Sequence, residues 1–582
     1  MKLPAWRLPE RVGWRDHVLG AVLGLVYVAW LLATARSLGF PRDEGVYFRA
    51  GAAYWGWWHS LLEHGAQALD RGAIDAAFGQ NPEHPALMKT LFGFSGWLFH
   101  EKWHVFSDAS TAMRLPGMLT AGMAIWVTYV FGARAWSRTA GLVAAILFPL
   151  MPRVFFNAHL ACFDVPITAM WILCIYVHWR AIDTRRLGFV LAAGIVFGLT
   201  LETKHNAWVL PFVFVPHAFF VHRHAVWRAL KAGRLSIPGS LVSMAILGPI
   251  VLVALWPRLW SDTLDRLAWW FHFHLHHDYY NIEFLGKNYF GPPSPKSYLP
   301  VMVLATVPAV TLLLFAIGAI DRGEVAFRRL RAWALRVGAR AGVRLRVGLA
   351  RRSETSPTAG DRVPGDRRET DLLLALSILG AIGPFFLSET PIFGGTKHWM
   401  PAYPALALFA GRGFDLVVVA MRRGFPALAG PRLVAAQAGL VACVAAAPLA
   451  ETAHSHPFGL SAYVPLVGGT AGGADLGLNR QFWGFTTQTA AERFLNPKAP
   501  RGSTVFILDT TWDAWSRMQE EGRVRRDLRA VGAPGEARFS LVQHELHMSE
   551  VDYSIWVAYG VDAPVYVVTH DGVPIVSVYE RP

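Results

Sequence analysis

Charge is scarce in this chain. Only 16% of its 582 residues are Asp, Glu, Lys or Arg, and 53% are apolar; an average soluble domain carries about a quarter charged residues. The mean hydropathy is +0.31. Together these values exclude a soluble single domain and a disordered chain, and they assign much of the protein to lipid. Cysteine is scarcer still. Cys162, Cys174 and Cys443 are the three present, all in apolar surroundings, which excludes a disulfide scaffold and reads as small buried residues. No small-residue cleavage site follows the first apolar run, Val18–Ala35, so that run reads as an anchor. Past about residue 450 there is no apolar run long enough to cross a bilayer, and there is no internal repeat.

The net charge of +14 could suggest a nucleic-acid partner, but its distribution argues against one. The window Asp321–Thr370 holds thirteen arginines and six acids, half of the excess, and it lies between apolar runs. Basic loops between spans mark a cytoplasmic membrane face. The other basic connections are Arg134–Arg138, Arg180–Arg186, His222–Arg234 and Arg422–Arg432. Apolar runs near 18–35, 115–132, 139–151, 165–179, 187–201, 207–221, 237–256, 299–320, 372–388, 399–420 and 432–449 make eleven spans. All five basic loops fall inside only if Ala86–Phe99 is an interfacial helix and does not cross.

The expected architecture is therefore mainly α: a polytopic membrane protein of about eleven transmembrane helices with a cytoplasmic N-terminus. Residues 1–450 form the membrane module. Its first outer loop, 39–111, carries interfacial helices, and 321–370 is a basic cytoplasmic insert. Within the insert, Arg328–Leu349 reads as a basic amphipathic helix on anionic lipid and Ser353–Arg368 as disordered. Residues 451–582 form a small extracytoplasmic α/β domain. There Thr504–Leu508 alternates like a strand, and Val565–Tyr579 carries an Asp571-Gly572 turn between β-branched runs, a hairpin signal.

This topology, fixed by basic loops, puts the unusual polar residues on one face. They are Pro41-Arg42-Asp43-Glu44-Gly45, Asn81-Pro82-Glu83-His84-Pro85 with Lys89, His159 to Pro166 with Asp164, Glu202-Thr203-Lys204-His205-Asn206, and Lys397-His398. Arg258 and Lys287 add positive charge. Ionisable groups adjoining spans are costly and tend to mark function. A carboxylate with several cations suits a reaction at a phosphate-bearing lipid, the cations holding the phosphate and the acid activating an acceptor. Each motif alone also has a bland reading: a solvated acidic pair, a snorkelling lysine, a polar turn.

The ordered series resembles a known family. An Asp-Glu pair after the first span is followed by Glu-His-Pro-x-Leu-x-Lys, an Asp at a span start and Thr-Lys-x-Asn. A His then precedes Met400-Pro401-Ala402-Tyr403-Pro404. The series is similar to that of the dolichyl-phosphate-mannose–protein mannosyltransferases and the lipid A aminoarabinose transferases, which are C-type glycosyltransferases. Phe290-Gly291-Pro292-Pro293, Tyr298-Leu299-Pro300, Leu466-Val467-Gly468-Gly469 and Phe482-Trp483-Gly484 extend the resemblance over most of residues 1–500. It implies an inverting sugar transfer from a polyprenyl-phosphate donor to an acceptor hydroxyl on a protein, lipid A or another glycan. The transfer would occur at the outer face of a bacterial inner membrane, with no cofactor required. By resemblance Asp43 is the general base, with Glu44 beside it, and Asp164 is a second acidic site residue. His84, Lys89 and Lys204 surround the donor phosphate, and His398 is the late pocket residue; Arg258 is assigned to the phosphate group by its charge on the same face. Two positions depart from the family pattern: Ala86 follows Pro85 where a second proline is common, and His159 stands where an Arg is common.

Phe271-His272-Phe273-His274-Leu275-His276-His277-Asp278 is a separate feature. His272 and His276 share a face in a helix or a strand and are the weak candidates for a divalent metal. An interfacial helix with aromatic-belt residues is the plainer reading. Two other function classes compete with the enzyme. One is a transporter or flippase for a polyprenyl-phosphate lipid, which would favour ionisable groups near the midplane, where these spans have almost none. The other is a non-catalytic membrane scaffold.

Overall fold

The computed structural model describes residues 12–340, 368–392 and 394–582. It is mainly helical. Among the described residues seven helices are long and apolar enough to span a bilayer: Trp14–Ser37, Ala109–Ala135, Asp164–Thr184, His205–Lys231, Glu369–Phe386, Met400–Gly424 and Gly430–Ser455. Two bent pairs raise the number to nine. Arg138–Leu147 and Pro152–Ala158 meet at 72°, and Tyr298–Thr306 and Ala309–Val325 meet at 118°. Pro152 and Pro308 sit at the two breaks, where a proline removes the backbone donor that would carry the helix through. The expected spans at 187–201 and 237–256 are shorter apolar helices, Leu187–Leu201 and Gly239–Leu255.

The stretch expected to lie on the surface is the ten-residue helix Leu87–Gly96, followed by a wide helical turn, Trp97–Lys102. Ten residues rise about 15 Å, half of a bilayer's hydrocarbon thickness. This helix packs against Arg42–His64 at very short range. A Cβ on Gly93 would fall 2.0 Å from the Gly51 carbonyl oxygen, so only glycine lets the backbones meet. Of the basic insert, the helix Ala309–Arg340 is described. The remainder of the expected amphipathic helix, and all but the last residue of Ser353–Arg368, lie outside the described residues.

The C-terminal part carries a five-stranded sheet in the order Arg529–Val531, Thr504–Phe506, Phe539–Gln543, Val573–Glu580, Tyr566–His570. The first three strands run parallel and the last two pair antiparallel. The Asp571-Gly572 hairpin is present, with His570 opposite Val573. This sheet shares one apolar core with the start of the chain. Phe40, Tyr47, Phe48, Met88 and Phe163 cluster with Phe485, Trp515, Val576 and Val578.

Candidate functional site

The site starts at Pro41. Its backbone is extended and the helix Arg42–His64 begins immediately after it, so Asp43 and Glu44 occupy the first turn, where negative charge is favoured. Successive helical residues point about 100° apart, and the two acids go separate ways. Asp43 is about one-third exposed, with the Arg42 guanidinium 3.7 Å from its carboxylate. Glu44 is fully buried. Arg114 donates to it through Nε at 2.7 Å and Nη2 at 2.6 Å, and the Ala161 amide donates at 2.8 Å. Arg114 also donates to the carbonyls of Ala35, Leu38 and Gly39. Glu44 thus ties the end of the first span to the turn that precedes Asp164.

Asp43 lines a cavity of about 420 Å³, together with His84, Asp164, Lys204 and His398. Five of the eight site residues expected from sequence therefore converge. Glu44 and the other two do not line it. Lys89 is fully buried behind the wall and donates to the Tyr54 hydroxyl at 2.8 Å, to the His84 carbonyl at 2.8 Å and to the Asn81 carbonyl. It fixes the Asn81–His84 turn. Arg258 lies over the Trp269 ring, 5.6 Å from its centroid.

Asp164 begins its span and receives Lys204 at 2.6 Å. Lys397, named with His398 on the same face but given no role by the resemblance, lines the same cavity with its ammonium 3.6 Å from the Trp483 ring centroid. Burial pulls the Lys397 ammonium below its ordinary range, against the charges of Asp164 and Asp43.

The tail closes one side. Phe482 and Trp483 line the cavity. Trp483 adopts a left-handed φ of 79°, a conformation that costs on the order of 1–3 kcal/mol in a non-glycine residue. Its carbonyl accepts the Arg42 amide at 2.8 Å. Gly484 follows at φ 66°, and a Cβ there would meet the Asp509 carbonyl at 2.6 Å. Arg42 pairs with Asp509 at 3.0 Å, and Thr511 donates to the Arg42 carbonyl at 3.2 Å. The segment carrying Asp43 is held from both ends of the chain.

The histidine-rich helix Thr263–Leu275 contributes His274 and not the two histidines singled out by spacing. His272 and His276 stack on one another at 4.2 Å on an exposed face. His274 stacks on His205 at 3.8 Å, with His84 at 5.9 Å, and its Nε2 donates to the Glu83 carbonyl at 2.7 Å. The ligand atoms of His84, His205 and His274 all lie within 4.8 Å of one another, so these three are the residues of the cavity that could hold a metal ion. Burial holds His84 well below the usual imidazole range, reinforced by Lys89, and brings His274 down to about 4. Both rings are neutral at pH 7.

Residues 93–253 match the family described as dolichyl-phosphate-mannose-protein mannosyltransferase. The match includes Asp164 and Lys204 but neither Asp43 nor His84. Over 208 residues, 32% of the chain, the sequence is 24% identical to an undecaprenyl phosphate-alpha-4-amino-4-deoxy-L-arabinose arabinosyl transferase of Pseudomonas fluorescens (strain Pf0-1). The chain spans about a third (35%) of that relative's length. Among solved structures it is similar to ArnT from Cupriavidus metallidurans bound to undecaprenyl phosphate, with 15% identity, 98% of each chain covered and a TM-score of 0.41. It is also similar to the oligosaccharyltransferase AglB from Archaeoglobus fulgidus in complex with an inhibitory peptide and a dolichol-phosphate. There the identity is 11%, 94% of this chain and 71% of that one are covered, and the TM-score is 0.46.

Proposed function

We propose that this chain is a C-type glycosyltransferase of the protein mannosyltransferase and aminoarabinose transferase type, which its matches to those proteins support, and that it transfers a sugar from a polyprenyl-phosphate donor to an acceptor hydroxyl. The observation that carries the reading is the convergence of Asp43 with Lys204, Lys397 and His84 on one cavity. In this scheme the acceptor oxygen attacks the anomeric carbon with inversion, and the bond from that carbon to the phosphate oxygen breaks. The acceptor proton goes to Asp43. The bonding electrons go to the phosphate, where Lys204, Lys397 and His398 meet the growing charge. Asp164 positions Lys204, and Glu44 positions the turns bearing Asp43 and Asp164. Lys89 and Arg258 act at one remove, through the Asn81–His84 turn and the helix Thr263–Leu275.

The reaction is assigned to the outer face of a bacterial inner membrane, on an eleven-span topology with the N-terminus inside. The acceptor is a protein, lipid A or another glycan. The cavity lysines would serve a transporter of the same lipid too, but the carboxylate of Asp43 beside them suits bond breaking. Cells lacking the gene, complemented with wild type or Asp43→Asn, test the proposal by mass spectrometry of envelope glycans, glycoproteins and lipids. A sugar modification restored by wild type and absent with Asp43→Asn at equal expression is expected. Equal restoration by both removes Asp43 as the base.

A further inference from the structure

The geometry points to a divalent transition-metal site of the zinc type, made by His454, His570 and Asp571, that clamps the last spanning helix to the C-terminal sheet. It lies outside the cavity and does not depend on the transfer reaction. His454 is in the last turn of the helix Gly430–Ser455. His570 ends the strand Tyr566–His570, and Asp571 opens the turn to Val573–Glu580. One donor atom from each lies within 4.8 Å of the others. His454 Nε2 is 2.7 Å from Asp571 Oδ1, and His570 Nε2 is 3.8 Å from Asp571 Oδ2.

The second observation is an orphan. His570 is buried, 7% exposed, and its Nε2 has no hydrogen-bond partner. A buried ring nitrogen left unpaired costs free energy unless something occupies it. The atom facing it is the outer oxygen of a carboxylate already oriented by Thr470, which donates at 2.9 Å. Asp571 sits at a left-handed φ of 50°. Two imidazoles and one carboxylate are a common zinc donor set, with a fourth position for water. Metal–ligand bonds of about 2.0–2.2 Å put tetrahedral donors roughly 3.3 Å apart, between the two separations seen here. His454 is two-thirds exposed, which leaves its ring room to turn. Binding replaces the N–H hydrogen bond from His454 to Asp571 by two bonds to the metal.

The full-length protein in detergent, stripped with chelator and titrated with zinc chloride, tests this by elemental analysis and thermal unfolding. Wild type is expected to bind one more equivalent than His454→Ala or Asp571→Asn and to gain melting temperature with zinc where the variants do not. In each variant the affinity at this site falls by more than about 100-fold, since even outer-shell changes cost about 10–100-fold. Zinc held by the cavity histidines is common to all three proteins and cancels. Asp571→Asn keeps a residue type that tolerates the left-handed turn, so loss of binding there is not loss of fold. Equal zinc content and equal thermal response in wild type and both variants overturn the site.

Discussion

The Lys204 ammonium lies 2.6 Å from the Asp164 carboxylate, and both residues line the cavity that holds Asp43. Both side chains are almost wholly buried, so each neutralises the other where water cannot.

That pairing predicts non-additive substitutions. Lys204→Met leaves Asp164 buried beside one fewer cation and is expected to cost about 3–5 kcal/mol, as is usual on breaking a buried pair. Lys204→Met with Asp164→Asn removes both charges and should lose clearly less than the two single losses combined. Thermal unfolding in detergent across the four proteins measures the coupling.

Asp43→Asn should separate rate from stability. Its carboxylate is partly exposed and makes one loose ion pair, so the melting temperature should stay within about a degree or two of wild type, as for surface substitutions. On the proposed role of Asp43 as the general base, its loss should lower transfer about 10²–10⁴-fold. Radiolabelled sugar transfer in membranes, against protein content, is the measurement.

Glu44→Ala, one residue along, should do the reverse. It strands the Arg114 guanidinium in a buried site and is expected to destabilise by about 3–5 kcal/mol, read as a large drop in folded yield and melting temperature. Adjacent acids with opposite phenotypes would confirm that one faces the cavity and the other faces Arg114.

Acid should loosen the site. In the folded protein His84 and His274 stay neutral below pH 6.5, and His274 resists protonation to about 4. The unfolded chain takes up protons near 6.5. Stability from these rings is therefore complete above about pH 6.5 and is lost as pH falls below it, for His274 down to about 4, at up to roughly 1.4 kcal/mol per unit for each group. Melting temperatures from pH 7.5 to 5 should fall, and His274→Gln should flatten the slope.

Most of the spanning helices were legible as apolar runs of sufficient length. The two bends also left a trace, since Pro152 and Pro308 stand at the breaks. Five site residues were legible because polar groups beside apolar runs are conspicuous. What the sequence could not divide was the Asp43-Glu44 pair: the partner that claims Glu44 is Arg114, seventy positions away, and no spacing announces it. His274 was hidden among neighbours of its own type, and the helical i,i+4 argument favoured His272 and His276, which stack on each other in the open. Phe482 and Trp483 were visible as a motif but not as a wall, because their position follows from long-range packing against Arg42.

Arg42 takes its backbone acceptor from Trp483 and its ionic partner from Asp509. The turn bearing Asp43 is held early by the Glu44–Arg114 pair and gains these two further anchors only once residue 509 has been made. A nascent chain that ends before Phe482 therefore still lacks one wall of its cavity.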